Sequence, residues 1–184
     1  GAYGGLPAPG IFFGAAVHPD HLEASSRMFG RYEHDLEAAI LGFLEFDTQG
    51  NVNVSKRGPN ILDYVGPGGF PNIVYGARTL IFSGKWMQKA KMEVREGQVH
   101  VQEKGVPKFV DQVAEITFNG REALNAGKKI FFVTDVGLFK LIEKGVALLA
   151  VFPGIDLQRD ILGIAGGGLV LPPGEDEPLI LPPF

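Results

Sequence analysis

The chain has 184 residues, a net charge of −4 and no cysteine, with 45% hydrophobic and 21% charged residues. These values are typical of one globular domain with a substantial core, and the negative charge argues against non-specific nucleic-acid binding. The absence of cysteine excludes disulfides, thiolate zinc sites and cysteine nucleophiles. Because no apolar run reaches bilayer length and the start resembles no secretion signal, we expect a soluble, cytoplasmic protein.

The first half of the chain predicts short strands broken by turns. Ile11–Ala15 is typical of a short buried strand after an entry rich in glycine and proline. Ala39–Phe46 predicts a buried strand that runs into a turn at Asp47–Gly50, and Val52–Ser55 predicts the returning arm of a hairpin. A short helix is expected at Gly69–Ile73, followed by a buried strand at Thr79–Gly84.

The second half predicts further strands and two helices. The predicted elements are a hairpin over Lys91–Val101, strands at Val113–Phe118 and Lys129–Thr134, a short helix at Arg121–Leu124 closed by Gly127, a hairpin of Leu138–Glu143 and Val146–Phe152, and a helix over Asp156–Leu162 capped by Asp156. Together these elements predict an open, mixed α/β domain rich in strands over residues 1–165. Residues 166–184 are rich in Gly and Pro and predict an extended acidic tail, whose aliphatic residues could dock on a neighbour.

Two asparagines and a glycine loop form the most informative pattern. Asn51 and Asn53 alternate with valines, so an extended strand would place both amides on one face. The loop Gly66–Phe70 lets a backbone come close to a ligand, and successive N–H groups there can hold an anion or an acyl oxygen. Taken alone, the loop is better explained as a tight turn between elements.

Other candidate sites are weaker. The sequence contains no Gly-x-Ser-x-Gly elbow, phosphate-binding loop or His-Glu-x-x-His motif. His18 and His21 lie close in sequence but are separated by Pro19, and we expect a solvated turn and no metal site. His34 and Asp35 predict a charged surface. Trp86 could shield a ligand, although packing at the edge of the core is the favoured interpretation.

The order of several motifs resembles a known family. The motifs are Gly4–Ala8 with Phe13–Ala15, Leu41–Lys56, Gly66–Phe70, Ile116–Gly120 and Pro153–Leu157. They resemble the C-terminal half, or β subunit, of class I CoA-transferases, which include acetate, propionate and short-chain acyl CoA-transferases. The resemblance covers about residues 1–162 and implies a CoA-transferase α/β fold.

The resemblance implies a covalent mechanism. A glutamate of the family attacks an acyl-CoA thioester and passes through an acyl-glutamyl anhydride to a glutamyl-CoA thioester, which a second carboxylate resolves. The family's glutamate precedes a Gly-x-x-Gly-Gly motif, which Gly1–Gly5 matches here. That glutamate would stand two positions before Gly1, so the chain alone is expected to be inactive.

The resemblance also suggests roles for individual residues. Gly68 and Gly69 would form an oxyanion hole, with Asn53 orienting the glutamate or the carbonyl. Asn51, Gly66, Pro67, Phe70 and Lys56 would contact substrate, and Arg57 is a further candidate for a phosphate contact. CoA or acyl-CoA is expected as substrate, with no permanent cofactor and no metal.

The implied partners are an N-terminal CoA-transferase domain or α subunit, in a homo- or hetero-oligomer that acts in short-chain fatty acid metabolism.

Tyr32–Glu37 replaces a glycine-rich turn of the family, Gln88–Lys91 replaces another small-residue stretch, and Asp135 stands where relatives often have Glu. The first change leaves the acyl specificity open. It also leaves an alternative, a non-catalytic acyl-CoA-binding or assembly subunit derived from the family.

Overall fold

The computed structural model of the chain describes residues 1–8, 15–171 and 178–183, and of Asp35 only the backbone. The helices are α1 (Ser25–Asp35), α2 (Phe70–Gly76), α3 (Gly120–Asn125) and α4 (Gly163–Ala165), with a 3₁₀ turn at Ile61–Asp63 and a π-helical segment at Leu157–Leu162. The strands are β1 (Ala2–Tyr3), β2 (Leu6–Pro7), β3 (Ala16–Val17), β4 (His21–Leu22), β5 (Ala38–Gly42), β6 (Glu45–Asp47), β7 (Val52–Asn53), β8 (Thr79–Ser83), β9 (Met87–Gln88), β10 (Lys91–Arg95), β11 (Gln98–Glu103), β12 (Val106–Pro107), β13 (Phe109–Val110), β14 (Lys129–Val133), β15 (Gly137–Ile142), β16 (Gly145–Val151) and β17 (Leu179–Ile180).

The main sheet has six strands in the order β17-β16-β15-β14-β8-β5. Strands β5, β8 and β14 are mutually parallel, and β15 and β16 extend the sheet as an antiparallel hairpin. Alternate residues of the strands form the core face, where Leu80 pairs with Ile130 and Phe82 with Phe132, all fully buried. The apolar character of β8 and β14 is typical of strands at the centre of a parallel sheet.

A smaller sheet packs on this core face. It has the order β13-β6-β7, with β6 and β7 antiparallel and β13 parallel to β6. Phe46 of β6 is fully buried and stacks on Phe132, with the ring centroids 4.3 Å apart. Trp86 is also fully buried and stacks on Phe109 and Phe139, which confirms that it packs in the core.

Most of the predicted elements are confirmed, including the mixed α/β fold. Both long hairpins turn at their predicted glycines, Gly97 and Gly145, and helix α2 follows the glycine loop as expected. Asn119 caps α3 by accepting a hydrogen bond from the Glu122 N–H. Asp156 caps the π-helical segment in the same way, through the Arg159 N–H.

Two strand predictions are wrong. The predicted strand Ala39–Phe46 divides into β5 and β6, which belong to different sheets. Residues 113–118 form no named strand, because carboxylates take their backbone donors: Val113 N–H donates to Asp47 and Ala114 N–H to Glu45. The hydrogen bonds to the Asp47 and Glu45 carboxylates thus outweigh the intrinsic preference of this segment for a β-strand.

The ends of the chain contribute short strands. Leu179–Ile180 pairs in parallel with β16, and Val170 exchanges hydrogen bonds with Val146 and Leu148. The aliphatic residues of the tail therefore contact this chain's own sheet. The predicted strand Ile11–Ala15 lies, apart from Ala15, outside the described residues, and the boundary between residues 165 and 166 stays a prediction.

Candidate active site

The glycine loop forms a tight turn at the start of α2. The Phe70 N–H donates to the Pro67 carbonyl at 3.1 Å, and Gly68 has φ +58° while Gly69 has φ −80° and ψ 3°. These angles are those of a type II′ turn, which favours glycine at its first central position. Within the described residues, neither the Gly68 nor the Gly69 N–H donates a hydrogen bond. The turn therefore offers two consecutive donors to a ligand.

A cavity of about 670 Å³ opens beside this turn. Gly68 and Gly69 line it from the turn, and Gly1, Ala2 and Gly4 line it from the start of the chain. A Cβ atom on Gly68 would meet no atom within 4 Å, so the turn faces open space at that residue. The cavity thus brings two motifs together that are more than 60 residues apart in sequence.

Short strands hold the start of the chain in this position. Strand β1 pairs with β4, β2 pairs with β3, and the Glu23 N–H donates to the Gly1 carbonyl at 2.8 Å. Gly4 has φ +71°, and a Cβ atom there would lie 2.0 Å from Asp20 Oδ2. The positive φ favours glycine at position 4, and the Asp20 side chain packs against it.

Helix α1 supplies much of the remaining wall. Met28, Phe29 and Tyr32 line the cavity from α1, and Ile73 lines it from α2. The sequence-based reasoning did not single out these four residues. The apolar spacing at positions 28, 29 and 32 is a helix-face signal that could have found three of them. His34, predicted to be on the surface, is exposed at the end of this helix.

The structure places Asn53 away from the described lining of the cavity. Its side chain is fully buried, and Oδ1 accepts from the N–H groups of Ser55 and Lys56. Its Nδ2 donates to Glu45 Oε1 at 2.9 Å and to the Lys56 carbonyl at 2.8 Å. All of these bonds shape the chain that leads to the glycine turn.

Asn51 is likewise held by the protein itself. Its Nδ2 donates to Asp47 Oδ2 at 3.0 Å, and its Oδ1 accepts from the Gly120 N–H at 3.1 Å. Asp47 is a buried carboxylate that the sequence did not mark, and it also accepts from the Gln49 and Asn51 N–H groups. This arrangement closes the β6–β7 turn and attaches it to α3.

The other predicted substrate contacts are not among the described residues that line the cavity. Gly66 and Pro67 are exposed beside the turn, whereas Phe70 is buried and packs on Phe82. The Lys56 ammonium lies over the Tyr64 ring, 5.7 Å from its centroid, and Arg57 is exposed.

A hydrogen-bonded network holds the base of the loop that ends in the glycine turn. Glu115 accepts from Ser55 through one carboxylate oxygen and from the Tyr64 hydroxyl through the other. Ser55 Oγ also contacts Thr117 Oγ1 at 3.0 Å, and the Val65 N–H donates to the Ser55 carbonyl. The hydrogen bond to Glu115 is the main cause that raises the pKa of Tyr64. Both ends of the 55–65 loop are thus fixed to one carboxylate.

Among the residues that the structure describes, no group of three His, Cys, Asp or Glu side chains could hold a metal ion. His18 and His21 are both exposed, and His21 stacks on Tyr3 with the ring centroids 4.8 Å apart. No helix in the described part of the chain is long and apolar enough to cross a membrane.

Comparison with known proteins identifies relatives of the chain. It is 35% identical over 166 residues to the caffeate CoA-transferase of Acetobacterium woodii, which covers 88% of the chain and 32% of that protein. It is 36% identical over 165 residues to the acetate CoA-transferase YdiF of Escherichia coli K12, covering 88% of the chain and 30% of that protein. No protein-family model matches the chain.

A solved structure agrees with these relatives. The thioester complex with CoA of the acyl-CoA transferase YdiF from Escherichia coli O157:H7 matches 97% of the chain and 32% of its own length, with a TM-score of 0.78 and 31% identity. The chain therefore spans about a third of the length of the relatives that it matches. Over that third, the chain is similar to these CoA-transferases in both sequence and fold.

Proposed function

We propose that the intact protein is an acyl-CoA:carboxylate CoA-transferase and that this chain forms one wall of its active site. The observation that carries the proposal is the cavity that Gly1 and the glycine turn both line. A residue placed shortly before Gly1 would lie near the two donors of Gly68 and Gly69. The named activities of the relatives, together with the thioester complex of one of them, support the same assignment.

The proposed reaction uses a glutamate two positions before Gly1. Its carboxylate attacks the thioester carbonyl of acyl-CoA and the C–S bond breaks. CoA departs as the thiolate, and an acyl-glutamyl anhydride is formed. The thiolate then attacks the glutamyl carbonyl and releases the first carboxylate, which leaves a glutamyl-CoA thioester. A second carboxylate takes CoA by the reverse steps, so the kinetics are ping-pong.

The residues of this chain stabilise charge and hold geometry in this scheme. The Gly68 and Gly69 N–H groups donate to the oxyanion that forms at each attacked carbonyl, where preorganised donors lower the barrier. Asn53 fixes the backbone that leads to the glycine turn, and Asn51 closes the β6–β7 turn. Gly66, Pro67, Phe70 and Lys56 lie beside the path of the pantetheine arm in this scheme. The proposed partner is an N-terminal CoA-transferase domain or α subunit that completes the site, and the 184 residues alone do not transfer CoA.

Exchange kinetics test this proposal. The intact protein is mixed with acyl-CoA and a second carboxylic acid, and the new CoA ester is quantified by chromatography at several concentrations of both. A ping-pong pattern, with no transfer by the 184-residue chain alone, is the expected result. Binding of acyl-CoA without transfer would instead identify a non-catalytic acyl-CoA-binding subunit.

A further inference from the structure

The side chains that line the cavity are mostly apolar. Pro7, Met28, Phe29, Tyr32 and Ile73 line it together with small residues of the first strands. The hydroxyl groups of Ser25 and Tyr32 are the polar side-chain groups of the described lining, which contains no charged side chain. A carboxylate at the far end of an acyl group would therefore be desolvated there without a partner, which is costly.

Two of the apolar side chains lie next to glycines that line the cavity. A Cβ atom on Gly69 would come within 2.6 Å of Phe29 Cε1, so this ring packs directly against the turn. A Cβ atom on Gly1 would lie 3.1 Å from Met28 Cγ. Phe29 therefore lies beside the proposed donors of the turn, and Met28 lies beside Gly1.

The size of the cavity points to acyl groups larger than acetyl. Its volume of about 670 Å³ is in the range of sites that bind whole small molecules. A two-carbon acyl group would leave most of the apolar wall in contact with water, whereas each further methylene that is buried there adds affinity.

We infer that this site selects apolar monocarboxylic acyl groups larger than acetyl and rejects dicarboxylic ones, with α1 as the element that determines specificity. The inference rests on the proposed function, because it assigns the cavity to the acyl group of that reaction. Helix α1 ends within the Tyr32–Glu37 segment, where the family resemblance leads one to expect a glycine-rich turn. Met28, Phe29 and Tyr32 of this helix line the cavity.

A comparison of three acyl-CoA esters tests the inference. Acetyl-, hexanoyl- and glutaryl-CoA are compared on the intact protein, both by equilibrium binding and by kcat/KM for CoA transfer. We expect hexanoyl-CoA to exceed acetyl-CoA by roughly tenfold or more, since about four buried methylenes are added. Glutaryl-CoA should fall at least about tenfold below hexanoyl-CoA, because its free carboxylate enters an apolar wall.

A charged variant provides the matched test of α1. Met28→Lys should raise the ratio of glutaryl- to hexanoyl-CoA binding by about tenfold, because the new ammonium pairs with the free carboxylate. Ser26→Lys adds the same charge to the exposed side of the same helix and should leave the ratio unchanged. Thermal unfolding of both variants shows whether α1 remains folded.

The outcomes separate the inference from the proposed function. A preference for acetyl- or glutaryl-CoA, in binding or in transfer, overturns the inference even if the protein transfers CoA efficiently. Binding in the expected order without transfer supports the inference and contradicts the enzymatic proposal. An equal shift of the ratio in Met28→Lys and Ser26→Lys would show that net charge, and not the cavity wall, sets specificity.

Discussion

At the scale of single residues, the two asparagines have a different use from the one that their spacing suggests. The period of a strand indicates which side chains share a face, but it does not indicate what they bind. In the structure, both amides are buried and bonded to neighbouring backbone and carboxylate groups. The glycine pair, by contrast, lines the cavity, and Gly68 has the positive φ that glycine adopts without steric cost.

The role of Gly68 is open to a matched substitution. Gly68→Ala adds a methyl group on the open side of the turn, where it would displace an acyl oxygen from the two donors. Gly166 also has a positive φ, +61°, and equally open surroundings, so Gly166→Ala likewise places an alanine at positive φ away from the cavity. We expect both variants to lose stability, by about 1–2 kcal/mol for Gly166→Ala. Only Gly68→Ala should also lose kcat, by on the order of a hundredfold; equal activity in the two variants would contradict the oxyanion role.

Asn53→Ala should destabilise the protein strongly. The substitution leaves the buried N–H groups of Ser55 and Lys56 without their acceptor, at a cost of about 2–4 kcal/mol in total. Urea denaturation measures the change, with the exposed Asn125→Ala as a control that should stay within about 0.5 kcal/mol. A loss below about 1 kcal/mol would show that water replaces these bonds.

At the scale of elements, the sequence predicts local structure well and sheet membership poorly. The hairpins at Gly97 and Gly145 follow from turn chemistry, which acts within a few residues. The division of Ala39–Phe46 between two sheets depends on a distant residue, because Lys108 Nζ donates to the Phe43 carbonyl between the two strands at 2.6 Å. The cavity wall formed by α1 was not predicted either, since its significance depends on a glycine turn 40 residues away in sequence.

The cap of α3 gives a prediction at this scale. Asn119 Oδ1 accepts from the Glu122 N–H at 3.0 Å, and Asn119→Ala removes that acceptor at a cost of about 1 kcal/mol. Asn125→Ala, at the other end of the same helix, serves again as the control. Thermal unfolding of the two variants compares them directly, and equal melting temperatures would show that the cap adds nothing.

At the scale of the whole molecule, Asp160 joins the C-terminal segment to the core through its backbone carbonyl, while its buried carboxylate orders the segment itself. The Asp160 side chain is fully buried and accepts two hydrogen bonds of 2.7 Å from Arg159, while its carbonyl accepts from Trp86 Nε1. Burial alone raises the pKa of Asp160, but the hydrogen bonds from Arg159 and from the Asp156 N–H outweigh burial and lower it. The charged form is therefore favoured in the folded protein.

This lowered pKa predicts a dependence of stability on pH. The contribution of Asp160 is complete above the ordinary aspartate pKa of about 4 and is lost as the pH falls through the lower folded value. Asp160→Asn should destabilise the protein at pH 7, and its difference from the unmodified protein should shrink below about pH 4. Denaturant titrations across this range measure the difference, and a constant difference would show that the charge of Asp160 makes no contribution.

The central claim is that a glutamate just before Gly1 carries CoA beside the Gly68–Gly69 turn. The most direct measurement is peptide mass spectrometry of the intact protein after incubation with acyl-CoA in the absence of a second acid. We expect CoA bound as a thioester to the glutamate two positions before Gly1, and release of that CoA when a carboxylic acid is added. CoA transfer without this adduct, or with CoA attached at another residue, would contradict the proposed mechanism.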